Sequence, residues 1–317
     1  MWKQTTFDGS DLGLLKPFTF TELSSILLPR MRKSMIFLSS GELRAYLEKT
    51  GRSGGGAHGH LEEYTRSDSS GKQYIFLKTS NFEDAGIKTE GFIQWYVQKT
   101  LEAEGLGSRV PKVYDLITVE NGSVGFTMTV IRDSKLCSTY LNSSQTLEKD
   151  LVHILAQTAV LLQILEDKLE LDHRDLKADN LLISSKSSML YWKGKIIQSP
   201  FTVHLVDFGF ACMGQSGVTR VDASDGTLPA LDPCPKEGRD LFHLIVSFYG
   251  ITHVRNNLTE PMRSLFTTWL TVQDKSCAGM AEKWLSTEWI YLITSQKKFS
   301  QSSCRPDAVL NAVNHLL

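Results

Sequence analysis

The run Asp172-His173-Arg174-Asp175-Leu176-Lys177-Ala178-Asp179-Asn180, followed thirty-two residues after Asp175 by Asp207-Phe208-Gly209, constrains this chain more than any other feature. A strand-like run, Val203-His204-Leu205-Val206, leads into the triplet, and another, Leu181-Leu182-Ile183, follows the first segment. As chemistry, the two segments offer a carboxylate at Asp175, an ammonium at Lys177, an amide at Asn180 and a second carboxylate at Asp207. The last two are hard oxygen donors of the kind Mg²⁺ takes between protein and phosphate. In-line phosphoryl transfer needs these parts and little covalent help, because positioning and charge neutralisation dominate its barrier. Alone, His-Arg-Asp is a surface turn and Asp-Phe-Gly a strand ending in a glycine turn. In this order, each beside an apolar strand, they make a pattern that chance seldom produces.

At 317 residues and 41% hydrophobic content, the chain is long enough to bury a large core. A net charge of -1 argues against an electrostatic role with nucleic acid or anionic lipid. No apolar run approaches the roughly 20 residues that span a bilayer. The start, Met1-Trp2-Lys3-Gln4, lacks the apolar core of a signal peptide, and Trp2 stands where myristoylation requires a glycine. Cys137, Cys212, Cys234, Cys277 and Cys304 are dispersed, odd in number and without a Cys-x-x-Cys pair. They are expected to be reduced thiols of an intracellular protein, cytoplasmic or nuclear, with neither zinc nor a disulfide.

The two segments resemble the catalytic loop and metal-binding triplet of protein kinases, H-R-D-x-x-x-x-N and D-F-G, with every fixed letter present. The resemblance extends upstream. Gly54, Gly56 and Gly59 spell G-x-G-x-x-G, where absent Cβ atoms let backbone N–H groups approach phosphate oxygens. Nineteen residues beyond Gly59 a strand, Gln73 to Leu77, ends in Lys78, which resembles the lysine that holds the α and β phosphates. That lysine needs an anion on the following helix, read over 89–101 with Phe92, Ile93, Tyr96 and Val97 inward; Glu90 is the candidate, with Glu83 as competitor. Two further strands, 111–117 and 124–131, flank the turn signal Glu120-Asn121-Gly122. By resemblance, Met128 lines the back of an adenine pocket and the backbone of Thr129 and Ile131 meets adenine.

The resemblance implies an α+β, bilobal, protein-kinase-like fold: an N-terminal extension over 1–40, a small β-rich lobe with one main helix over 41–132, and a mainly helical lobe over 133–317. It implies ATP and Mg²⁺ as cofactors, Asp175 as base, Lys177 as the neutraliser of the migrating phosphoryl group, and Asn180 and Asp207 as metal ligands. His173 is a packing residue and Asp179 a structural one. Lys177 favours serine or threonine of a protein substrate as acceptor, with no nucleic-acid or membrane partner. The helix read over 147–169 supports the catalytic loop, and 184–200 forms an enlarged hairpin about Lys193-Gly194. Asp240 is placed like the buried Asp that bonds the catalytic-loop backbone. Gly226-Thr227 stands where a threonine braces the base, and Ser216, Thr219 and Ser224 are candidate phosphosites. The expected Ala-Pro-Glu triplet is missing, as in divergent kinases such as haspin, and Glu237 is the candidate partner for Arg305 in its place. Two other readings share many of these letters: a small-molecule phosphotransferase of the aminoglycoside or choline kinase type, and a pseudokinase scaffold.

Overall fold

A computed structural model of the chain describes residues 36–38, 47–56, 59–68, 71–79, 85–119, 124–214, 221–224, 234–283 and 288–316. The helix expected over 21–28, Glu83, the turn at 120–122, Ser216, Thr219, Gly226 and Thr227 lie outside the described residues. The architecture is α+β, in two compact units. The first comprises 1–131 with 208–211 and 217–227, and the second comprises 132–207, 212–216 and 228–317.

In the first unit, strands β1 (Ile36–Leu38), β2 (Glu48–Gly56), β3 (Gly59–Asp68), β4 (Gly71–Thr79), β5 (Val113–Val119) and β6 (Val124–Thr129) form one sheet in the order β1-β5-β6-β4-β3-β2. All neighbours are antiparallel except β1, which runs parallel to β5. The extension assigned to 1–40 therefore lends a strand to this sheet. Strand alternation decides what each face carries. Ile75 and Leu77 turn one way, into a cluster with Leu47 and Ile117. Lys78, one step out of phase, turns the other way with its cross-strand partner Phe126, which itself lies opposite Leu116.

Helix α1 (Ala85–Ala103) lies on that second face. It begins four residues before the sequence reading placed it, and it is buried almost all round, Gln94, Trp95 and Gln98 included. Glu90 is thus in the second turn of the helix. Gly91, a weak helix former, has a packing reason: a Cβ there would meet Leu116 Cδ2 at 2.8 Å and Phe126 Cδ1 at 2.9 Å. The missing side chain lets the helix come down onto the sheet beside Lys78.

The second unit is mainly helical. After β7 (Ser134–Leu136) and α2 (Cys137–Asn142), α3 (Leu147–Leu169) has the bounds its apolar spacing predicts, with Leu151, Ile154, Leu155, Thr158, Leu161, Leu162 and Leu165 all buried. Buried Gln157 of α3 donates to Phe201 O (3.2 Å) and accepts from Val203 N (3.2 Å), holding the strand that leads to Asp207. Strand β8 (Leu171–Asp172) follows α3, and β9 (Leu181–Ser184) is the centre of a three-stranded sheet. Strands β10 (Ser188–Trp192) and β11 (Lys195–Ser199) make the enlarged hairpin. Its turn residues Lys193 and Gly194 both have positive φ (45° and 80°), as a two-residue turn demands. Strand β12 (Thr202–Leu205) pairs β9, and β13 (Cys212–Met213) pairs β8. Helices α4 (Arg239–Gly250), α5 (Thr252–Asn257), α6 (Glu260–Trp269), α7 (Ala278–Lys283), α8 (Glu288–Thr294) and α9 (Pro306–Val313) complete the unit.

One expectation is overturned here. Cys212 and Cys234 are joined in a disulfide across a sequence separation of 22, with Cα atoms 6.4 Å apart. Pairing of β13 with β8 sets Cys212 opposite Asp172, while Cys234 Sγ lies 3.7 Å from the carbonyl of Glu170, the residue just before that two-residue strand. Neither approach depends on local spacing, so cysteine arithmetic missed it. Cys137, Cys277 and Cys304 are free and buried. Among the described residues, no helix is long and apolar enough to cross a membrane.

Candidate active site

Each unit brings together part of the set of residues read from the sequence. In the first, Lys78 Nζ pairs with Glu90 Oε1 at 2.6 Å, with only 15% and 4% of the two side chains exposed. Strand phase turns the lysine toward α1, and the Gly91 contact brings the helix down to it. Gln94, one turn on, donates to the Pro111 carbonyl (2.9 Å) and to Met128 Sδ (3.3 Å), which fixes Met128 under the helix. The amide of Thr129 donates to Lys112 O (2.9 Å), and Thr129 is registered against Ile75 of β4. Ile131 is half-buried.

The glycine run is the end of a hairpin. Gly54 faces Leu61 and Gly56 faces Gly59, with two residues between the last pair. Gly54 is exposed, and a Cβ there would meet nothing within 4 Å. The fold itself does not require glycine at that position.

In the second unit the carboxylate of Asp175 is the hub. Its Oδ2 accepts from Lys177 Nζ (2.8 Å) and Asn180 Nδ2 (3.0 Å), and its Oδ1 accepts from the Tyr291 hydroxyl. Asn180 gives its other N–H to the Asp175 carbonyl (2.7 Å). With both N–H groups spent on Asp175, the amide has its Oδ1 left for a cation. Asp207 follows directly, because Val206 N donates to the Asn180 carbonyl at 3.1 Å. Both side chains, an amide oxygen and an exposed carboxylate, are hard donors of the kind that suits Mg²⁺.

The loop that carries Asp175 is held from below. Asp240 of α4 accepts the backbone N–H groups of His173 (2.7 Å, Oδ2) and Arg174 (2.8 Å, Oδ1). Burial, and then the Asp172 carboxylate, push the Asp240 carboxyl up from its ordinary range, against the pull of the His173 amide and Arg239. Asp172 in turn accepts from Arg239 Nε (3.0 Å) and from Lys236 N (2.7 Å). His173 is wholly buried, with Nε2 3.1 Å from Val206 O, and burial depresses its pKa; it is a packing residue. Asp179 accepts from the Ser138 hydroxyl, a structural contact. Two non-glycine residues here, Arg174 (φ 63°) and Asp207 (φ 64°), adopt the left-handed conformation. Such conformations cost about 1–3 kcal/mol each and concentrate where geometry serves chemistry.

Ser224 is buried, its hydroxyl bonded to Asp222 Oδ1 at 2.6 Å, and so is closed to modification in this state. Glu237 and Arg305 do approach, at 3.6 Å, but both are exposed and Asp307 holds the same guanidinium at 3.1 Å. That pair is worth no more than about 1 kcal/mol. Sequence reasoning missed Tyr291, whose distance of 116 residues from Asp175 leaves no local signal.

Chemically, the second unit offers a carboxylate able to take a hydroxyl proton, an ammonium beside it, and oxygen donors for a hard cation. The first offers a buried lysine ammonium paired with a carboxylate. Compared with protein-family models and with curated proteins, the chain matches none.

Proposed function

We propose that the chain is an ATP-dependent serine/threonine protein kinase with a protein-kinase-like, two-lobed fold. The observation that carries this reading is the hydrogen-bonded set Asp175, Lys177 and Asn180, with Asp207 tied in through the Val206 amide. The buried pair Lys78–Glu90 is independent support. Burying an ion pair costs desolvation that its attraction often fails to recover, so such a pair is weak as a stabiliser. As a way to hold an extended ammonium for phosphate it has a clear use.

Under this reading Asp175 orients the acceptor hydroxyl and takes its proton. The acceptor oxygen bonds to the γ-phosphorus as the bond from that phosphorus to the β,γ-bridging oxygen breaks. ADP leaves, and the proton passes from Asp175 to solvent. Lys177 offsets charge on the migrating group, and Lys78 holds the α and β phosphates. Asn180 and Asp207 would hold Mg²⁺, which supplies neutralisation of phosphate charge when bound. Proton transfer comes late in a loose transition state, so Asp175 serves first to orient the acceptor hydroxyl. The test is labelled ATP and Mg²⁺ with the wild-type chain and Asp175→Asn, scoring self-labelling, generic protein acceptors and phosphoamino-acid identity. Phosphoserine or phosphothreonine that disappears in Asp175→Asn is the expected result. Label only on small alcohols or sugars would make the chain a small-molecule kinase. Nucleotide binding without transfer would make it a scaffold.

A further inference from the structure

We propose that Tyr291 is a positioning residue for Asp175, clamping the carboxylate oxygen that Lys177 and Asn180 leave. This rests on the phosphotransferase reading. Both described donors from the catalytic loop, Lys177 Nζ and Asn180 Nδ2, bond the same oxygen, Oδ2. A carboxylate gripped at one oxygen alone can still swing about its Cβ–Cγ bond. The Tyr291 hydroxyl, donated to Oδ1, removes that freedom and sets the plane in which an acceptor hydroxyl must approach.

A phenol suits this task. Tyrosine has two side-chain torsions, so little entropy is lost in holding it. Burial first, and then the charge of Asp175, raise its pKa, so the hydroxyl stays a donor at any working pH. Its seat is built. The ring stands edge-on to His243, centroids 5.5 Å apart and planes at 82°. His243 Nε2 lies 2.9 Å from Thr294 Oγ1, at the end of α8. Lys236 Nζ donates to the carbonyls of Thr294 (2.6 Å) and Gln296 (3.1 Å). Lys236 and His243 bracket Asp240, which holds the amides of His173 and Arg174. One short segment, 236–243, therefore fixes both the loop that carries the base and the helix that carries its clamp. Geometry kept on both sides by one frame is what a reaction dependent on sub-ångström alignment requires.

The experiment has a spectroscopic arm and a kinetic arm on the full chain. With 3-fluorotyrosine at position 291, Asp175→Asn should move the ¹⁹F resonance. An unmoved resonance means no contact and overturns the proposal. Tyr291→Phe keeps the ring and its seat against His243. It should lower kcat for phosphate transfer on the order of tenfold, with KM for ATP, affinity for ADP and the urea midpoint unchanged. An unchanged kcat beside an active wild type and an inactive Asp175→Asn overturns the clamp and leaves the kinase reading standing. A fall in kcat that comes with an equal loss of nucleotide affinity or stability makes the residue merely structural, and also overturns it. A ¹⁹F response in a wild-type chain that transfers no phosphate ends the kinase reading, and the positioning role with it.

Discussion

Gly91 of α1 lies so close to Phe126 of β6 that a Cβ at position 91 would stand 2.9 Å from the ring. Leu116 closes the other side at 2.8 Å. The neighbouring residue, Glu90, reaches Lys78 because the helix can descend this far. Helix propensity favours Gly91→Ala by about 1 kcal/mol, while overpacking costs about 1–3 kcal/mol. The variant should have a lower urea midpoint and, on the proposed kinase reading, weaker nucleotide binding, since lifting α1 draws Glu90 off Lys78. A more stable variant with unchanged binding would show that the close approach does not set the ion pair.

Gly54 makes the opposite case. Nothing in the fold stands within 4 Å of a Cβ there, so Gly54→Ala should leave stability within about 0.5 kcal/mol of the parent. If phosphate oxygens come to this backbone, the added methyl stands between them, and KM for ATP should rise about tenfold, equivalent to about 1.4 kcal/mol. Equal KM values for the two proteins would remove the hairpin end from the proposed nucleotide site.

The Cys212–Cys234 bond closes a loop across a separation of 22 residues. Loop-closure entropy then predicts about 3 kcal/mol of stabilisation. Urea unfolding with and without reductant, alongside Cys212→Ala, should show a loss of about 2–4 kcal/mol. Alkylation before reduction should label Cys137, Cys277 and Cys304 in the unfolded chain and spare the other two.

Glu166 gives the chain a pH-dependent liability. Burial, and then the carboxylates of Asp172 and Asp240, raise its pKa from 4.5 to about 9. Between those values the folded chain holds a proton that the unfolded chain has released. Stability therefore falls as pH rises from about 4.5 to about 9 and levels off above. Glu166→Gln should flatten that fall and raise the urea midpoint at pH 8, with little difference near pH 4. Parallel curves for both proteins at pH 5, 7 and 9 would exclude the effect.

What the sequence made legible was whatever local periodicity or turn chemistry determines. Helix α3 ends where its apolar stripe ends, and the Lys193-Gly194 turn sits where two strands need positive φ. The Asp175, Lys177 and Asn180 contacts span a sequence separation of five, so spacing alone nearly dictates them. Three features were hidden because they are tertiary. The start of α1 was obscured because it is buried almost all round and so shows no clean amphipathic edge. The disulfide depends on pairing between β8 and β13, two strands of two residues each. Tyr291 reaches Asp175 only through the folding of α8 onto His243 and Lys236.

The sulfur bridge also turns residues 212–234 into a covalent ring. A peptide bond cut inside that ring leaves the polypeptide as one piece, both halves joined through Cys212 and Cys234. Nicked molecules would therefore migrate near full size on a non-reducing gel and separate into two fragments once thiol is added.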